Sequence, residues 1–194
     1  HRIWFGDQTK LSKENRHIWK NYCLRLGIEY KLWTEADEEE FKIFMNPNNF
    51  AILKKSLNEN NWWAASDILR MEIINHHGGI YIDCDLKPPK LNNNWVDIFS
   101  LINEKGLTVM TEHHGRNVGS GIALFAAHGF ICSPAHHPVI DEYVKQVFCN
   151  YTKWCSCNEL ADAMYCTGPF VLNKILNGYI GIIPICYFYQ LGMW

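Results

Sequence analysis

The chain has almost no net charge. Lys and Arg number 18 against 20 Asp and Glu, which leaves −2. The broad basic field that nucleic-acid binding needs is therefore missing. No apolar run reaches the roughly 18 residues of a membrane-spanning helix. The longest, residues 122–131, is short and contains His128 and Gly129. No secretory leader is visible. The chain opens at His1, inside an apparent strand and without an initiator Met, and so reads as a trimmed or processed domain. There is no Cys-x-x-Cys pair among the 8 Cys, and Cys155-x-Cys157 is too tight for an ordinary zinc knuckle. Cys23, Cys84, Cys132 and Cys186 sit in apolar contexts and read as buried thiols. The group from Cys149 to Cys166 would pair only in an oxidising compartment, and the compartment is left open. There is no internal repeat and no low-complexity segment.

What is present fits a globular chain. At 194 residues and 48% hydrophobic, it is expected to form one domain with a sizeable core. Aromatics are abundant (8 Trp, 9 Tyr, 10 Phe), more than a core alone requires, and surplus Trp suits stacking on bases and sugars. The organising stretch is 65–87, ASDILRMEIINHHGGIYIDCDLK. Ile68, Leu69 and Ile73 recur at helical spacing. Asp67 and Arg70 stand three apart, neighbours on one helix face. Gly78-Gly79 supplies a helix stop. Ile80-Tyr81-Ile82 is β-branched and aromatic, as a buried strand requires. Asp83 and Asp85 then fall at the strand's C-terminal end, the edge where open α/β sheets bind ligands.

Around this stretch the chain alternates strand and helix. Residues 1–7 read as a strand and turn. Ser12 is placed to cap a helix with Trp19, Tyr22, Cys23 and Leu26 on one face, stopped by Gly27. Residues 29–33 form a second strand, and Thr34 with Asp37 resembles a capping box before the acidic run 38–40. A helix is expected over 50–57. After the Pro88-Pro89 break, expected elements are a helix at 96–102, strands at 107–112 and 122–127, a helix at 138–151 with Val139, Tyr143 and Val147 inward, a helix from 167 to 176, and an apolar strand at 180–189. Residues 115–121 read as a polar loop near the site. The pattern predicts an α/β fold with a mostly parallel sheet.

Carboxylates at i and i+2 on a strand end point the same way. They repel unless a cation sits with them. A hard divalent ion such as Mg²⁺ or Mn²⁺ is held by one or two carboxylates plus substrate phosphate oxygens. The layout therefore points to a metal–diphosphate site. The adjacent pairs His76-His77, His113-His114 and His136-His137 read as surface, cap or turn residues, because neighbouring side chains project differently.

The chain resembles the Asp-x-Asp sugar transferases of glycosyltransferase family 32, and more distantly the large clostridial glucosylating toxins. The carriers run in order: His1-Arg2-Ile3-Trp4-Phe5-Gly6, Ser66-Asp67-x-x-Arg70, Gly78-Gly79-Ile80-Tyr81-Ile82-Asp83-x-Asp85, Ser133-Pro134-x-x-His137-Pro138, Thr167-Gly168-Pro169 and Tyr187-Phe188-Tyr189. The resemblance implies a GT-A (Rossmann-like) fold and transfer of a hexose, with retention, from a nucleotide-diphosphate sugar, UDP favoured, to a glycan or protein acceptor. It implies Mn²⁺ or Mg²⁺ as cofactor. Asp85 takes the place of the direct metal ligand. Asp83 takes that of the contact to ribose, sugar or metal-bound water. Asp67 and Arg70 fall at the donor-sugar contacts, Arg70 also suiting the diphosphate, and Trp4 at the position that stacks on the base. Trp194 falls at the Trp that ends the family's diphosphate-binding motif, although the His or Ser before it is not preserved. His128 stands where the family often carries Asn.

Two other classes share parts of this pattern. A haloacid-type phosphatase also places Asp-x-Asp at a strand end, but wants Thr or Val two residues on, where Lys87 stands, and the motif on its first strand. A lectin-like binding module would keep the fold without turnover; intact Asp83 and Asp85 speak for catalysis.

Overall fold

The computed structural model describes residues 1–11, 13–88, 106–113, 124–154 and 166–177. Strand β1 (Arg2–Ile3) leads to helix α1 (Lys13–Arg25), strand β2 (Leu32–Trp33), a 3-10 turn (Glu35–Asp37) and helices α2 (Glu38–Phe44), α3 (Pro47–Asn58) and α4 (Trp62–His77). Strands β3 (Gly79–Ile82), β4 (Thr108–His113) and β5 (Leu124–Ser133) follow, then helices α5 (Pro138–Trp154) and α6 (Pro169–Asn177).

Local sequence accounts for several boundaries. Thr34 and Asp37 form the expected capping box, each side chain taking the other's backbone N–H. Asn61 caps α4 by accepting from the Ala64 N–H at 3.2 Å. The helix ends at Gly78, whose φ is +65° and where a Cβ would stand 2.6 Å from the Ala135 nitrogen. No residue with a side chain fits that position. Gly27 ends α1 as expected, at φ +66°, but Leu26 lies beyond the helix and is exposed rather than on its inner face. Ser12, residues 96–102, 115–121 and 180–189, and Tyr187 and Trp194 lie outside the described residues, as do Cys155, Cys157 and Cys186.

The sheet corrects one expectation. It is not mostly parallel. β1 and β2 pair in parallel, whereas β3 and β4 both pair antiparallel with the central β5. The His1 nitrogen donates to the Ile80 carbonyl at 2.7 Å, and the His1 carbonyl accepts from the Ile82 N–H at 3.0 Å. That is the bonding pattern of a parallel neighbour, and it ties the two sheets edge to edge. The parallel part is the first half of the chain, where helices cross between strands. β5 runs the other way, antiparallel to both β3 and β4.

Two cores lie on opposite faces of the sheet, and strand alternation sorts residues between them. Tyr81, Val109, Ala126 and Ile131 join the larger core under α3, α4, α5 and α6. Ile82, Ala127, Phe130 and Cys132, with Ile80 beside them, join Trp19 and Tyr22 of α1. Val139, Tyr143 and Val147 face inward on α5 as predicted. Truncating a fully buried residue of the larger core such as Leu69 costs about 2–5 kcal/mol.

Candidate functional site

The site is built where the N-terminal half of α4 passes the C-terminal end of β3. Tyr81 lies on the α4 side of the strand, and Asp83, two residues on, returns to that side. Asp67 and Arg70 come from α4, and both are buried, at 8% and 7% exposure. The Arg70 guanidinium is the hub. Its Nη2 lies 3.2 Å from Asp67 Oδ1 and its Nη1 3.4 Å from Asp83 Oδ1. Nη1 also donates to the His128 carbonyl at 2.8 Å, and Nε to the Ser66 carbonyl at 3.3 Å. Its Cζ stands 4.8 Å from the centre of the Tyr81 ring, at cation–π range. Tyr81 donates its hydroxyl to Asp83 Oδ1 at 2.7 Å.

The electrostatics follow from burial and neighbours. Burial opposes charge on Arg70, but Asp83, Tyr81 and Asp67 outweigh it and hold the guanidinium above its ordinary value. Burial pushes the Tyr81 hydroxyl well up, so it stays a neutral donor to Asp83.

His128 closes the cluster from the β5 side, at 4% exposure. Its Nδ1 lies 3.4 Å from Asp67 Oδ1, and its ring packs edge-on to Tyr143 with centroids 5.6 Å apart. Burial lowers its basicity, against the pull of Asp67. Its Nε2 is buried with no hydrogen-bond partner among the described residues. Such an orphan costs about 1–3 kcal/mol.

The Asp83–Asp85 turn is fixed from several sides. The Asp83 N–H donates to the Gly129 carbonyl at 2.9 Å. Arg2 Nη2 donates to the Asp83 carbonyl at 3.3 Å, and the Cys84 thiol donates to the Ile3 carbonyl at 3.1 Å. Asp85 itself is exposed on the turn. Trp4 follows β1 directly. The parallel alignment of His1 with β3 therefore puts Trp4 beside the same turn, half-buried, with its Nε1 donating to the Asp7 carbonyl at 3.1 Å.

Among the described residues no group of three or more His, Cys, Asp and Glu converges as a closed metal cage. A hard cation shared between carboxylates and substrate phosphates needs no such cage. Asp83, with one oxygen committed to Tyr81 and Arg70, and the exposed Asp85 fit that kind of ion.

The structure thus brings together Asp67, Arg70 and Asp83, with Asp85 and Trp4 at the rim. Tyr81, His128 and Arg2 were not expected. Tyr81 was readable from its i, i+2 relation to Asp83. His128 was readable as the one polar side chain in an apolar run. Arg2 was readable as a charge inside a strand. His76 and His77 are exposed in the last turn of α4. His136 sits in a turn at φ +55°, and His137 Nδ1 accepts from the Val139 N–H, capping α5. Position 113 ends β4, and His114 lies outside the described residues. A cavity of about 470 Å³ opens on the other face of β3, against Trp19, Tyr22, Tyr30 and Trp33. It includes none of Asp67, Arg70, Asp83 or Asp85, so this hollow and the polar cluster are separate features.

No curated protein matches the chain. The solved structure described as PaToxG glycosyltransferase superposes with a TM-score of 0.65 at 19% identity, covering 93% of this chain and 68% of that one. The ligand-free glycosyltransferase domain from the YGT toxin gives 0.54 at 14% identity, and its UDP-bound form 0.52 at 15%, each covering 93% of this chain and 57% of the other. These likenesses speak to fold: the mixed α/β arrangement is that of toxin glycosyltransferase domains. Residues 14–98, which hold Asp67, Arg70, Asp83 and Asp85, match the family model for the glycosyltransferase sugar-binding region containing a DXD motif.

Proposed function

We propose that the chain, as one GT-A domain, transfers a hexose with retention from a nucleotide-diphosphate sugar to a glycan or protein acceptor, with a divalent cation assisting. The observation that carries this is the Asp67–Arg70–Asp83 cluster, with Asp67 and Arg70 buried and exposed Asp85 beside it. It offers fixed groups for a sugar and a free carboxylate for an ion at one strand end. UDP is the favoured donor, in keeping with the UDP-bound form of the similarly folded YGT toxin domain.

Asp85 is the direct ligand of Mn²⁺ or Mg²⁺, and Asp83 holds ribose, sugar or metal-bound water. The ion, when bound, neutralises charge on the departing diphosphate. Asp67 and Arg70 bind the donor sugar. Arg70 also faces the leaving phosphates, where a fixed guanidinium stabilises developing negative charge. Trp4 stacks on the base, a contact worth about 1–3 kcal/mol per base in single-strand nucleic-acid sites. Trp194 is assigned to the diphosphate by resemblance alone. Asp67 is engaged by Arg70 and His128, which suits binding better than nucleophilic attack. Front-face substitution follows: the acceptor oxygen bonds to C1 as the bond from C1 to phosphate oxygen breaks, and the leaving phosphate takes the acceptor's proton.

Hydrolysis of UDP- and GDP-hexoses with Mn²⁺, wild type beside Asp85→Ala, tests this. The expected result is nucleotide release by wild type and a loss of about 10²-fold or more in the variant, the size seen when one charge-stabilising group is removed. Wild type that neither releases nor binds any nucleotide sugar would overturn it.

A further inference from the structure

We infer that His128 is a positioning residue: its neutral imidazole, through Nδ1–H, fixes Asp67 so that one defined carboxylate oxygen is offered to the donor sugar. This rests on the assignment of Asp67 to the donor.

The argument begins with the strand. Along β5, Ala126 lies in the α4-side core and Ala127 in the α1-side core. Regular alternation would then put positions 128 and 130 on one face. They are on opposite faces: His128 meets Asp67 of α4, while Phe130 joins the α1-side core. The pairing with β4 shows why. Val109 faces Ile131, but the next residue, Met110, faces Ala127. Residues 128–130 are therefore a bulge, a device that re-aims a side chain.

All three polar groups of the bulge described so far go to the cluster. The His128 carbonyl takes Arg70, the Gly129 carbonyl takes the Asp83 N–H, and the imidazole takes Asp67. At Asp67, both Arg70 Nη2 and His128 Nδ1 converge on Oδ1. Among the described residues Oδ2 takes no hydrogen bond, so it is the oxygen left to receive a ligand. Facing a carboxylate, Nδ1 must carry the ring proton, which leaves the lone pair on the unpartnered Nε2. Among the described residues the ring's one polar contact is thus with Asp67. A residue present only for packing would be an apolar ring, with no orphan nitrogen.

Two measurements on the whole chain test this. First, the ¹⁵N resonances of His128 in the wild-type protein should report a neutral Nδ1–H tautomer. A cation or an Nε2–H tautomer overturns the inference and leaves the assignment of the site standing. Second, His128→Phe and His128→Asn are compared for affinity toward UDP alone and for turnover of UDP-hexose. His128→Phe should lose about 10–100-fold in kcat/KM, as for other groups that orient a binding residue, with UDP affinity unchanged. His128→Asn, which keeps an N–H near the Nδ1 position, should restore most of the loss. Equal loss of UDP and UDP-hexose binding would mark a structural role and overturn the inference, as would wild-type turnover in His128→Phe. Wild type that binds no nucleotide sugar removes the donor assignment, and this inference with it.

Discussion

Helix α4 buries two carboxylates little more than a turn apart, and it treats them in opposite ways. Asp67 is met by a guanidinium, with Arg70 Nη2 at 3.2 Å. Glu72, at 3% exposure, is met among the described residues only by neutral donors: Asn49 Nδ2 at 2.7 Å and the Asn46 N–H at 3.3 Å. Asn49 also donates to the Val144 carbonyl at 2.8 Å, so the Glu72 node ties α3, α4 and α5 together. Lacking a cation, Glu72 is pushed up by burial to about 7, with Asn49 and Asn46 pulling the other way. The contrast teaches where charge is needed. The Asp67 end of the helix holds a cation and two carboxylates against desolvation, an arrangement that a neutral network would make more cheaply if stability alone were at stake. The Glu72 end needs only shape and hydrogen bonds, and burial favours its protonated form.

Removing the cation is the strongest way to break this comparison. Arg70→Met should destabilise the fold by about 3–5 kcal/mol, since it leaves the buried Asp67 without its cation and removes the partner of the partly exposed Asp83. Donor turnover should vanish with it. Glu72→Gln at pH 5 should be nearly neutral, because the native side chain is already mostly protonated there. Urea unfolding with a check for constant slope measures both. If Arg70→Met cost no more than Glu72→Gln, the two carboxylates would not differ in the way described.

The pH dependence of stability sharpens the contrast with a smaller effect. The Glu72 carboxyl moves from its ordinary value of 4.5 to about 7 on folding. Between those values the folded state keeps a proton that the unfolded state releases, so stability falls as pH rises. The contribution is fully present below 4.5 and lost as pH passes through 7, about 3 kcal/mol at 1.4 kcal/mol per unit. Urea midpoints at pH 5 and pH 8 should fall in wild type and change less in Glu72→Gln. Equal slopes in the two proteins would remove Glu72 as the source.

Much of the site was legible in advance because its signals are local. Asp67 and Arg70 are three apart on a helix, Asp83 and Asp85 bracket one residue at a strand end, and Gly78 ends the helix between them. Spacing alone puts each pair on one face. The Thr34–Asp37 box was readable for the same reason. What escaped was set by tertiary pairing. The sheet's mixed direction depends on β5, whose partners are distant in sequence. The reach of β5 to Ser133, well past the expected end at 127, depends on the bulge at 128–130, and no periodicity predicts one. The bulge in turn decides that His128 meets Asp67. Arg2 was hidden differently: a charge in a short first strand is ordinary until the Asp83 carbonyl is seen beside it.

The smallest expected effect is at the surface, and it shows that burial, not the mere closeness of opposite charges, sets the energy of the Asp67–Arg70 pair. Lys42 and Glu39 of α2 form an ion pair at 3.2 Å, nearly the separation of Arg70 from Asp67, with both side chains mostly in solvent. Water screens that pair, and holding two long side chains together offsets much of the attraction. Lys42→Ala should change stability by no more than about 0.5 kcal/mol and leave donor turnover unaltered. The same urea series reads it beside Arg70→Met. A Lys42→Ala cost approaching that of Arg70→Met would mean that the distance between charges, and not their removal from water, sets the energy of these pairs. The special standing of the Asp67–Arg70–Asp83 cluster would fall with that result.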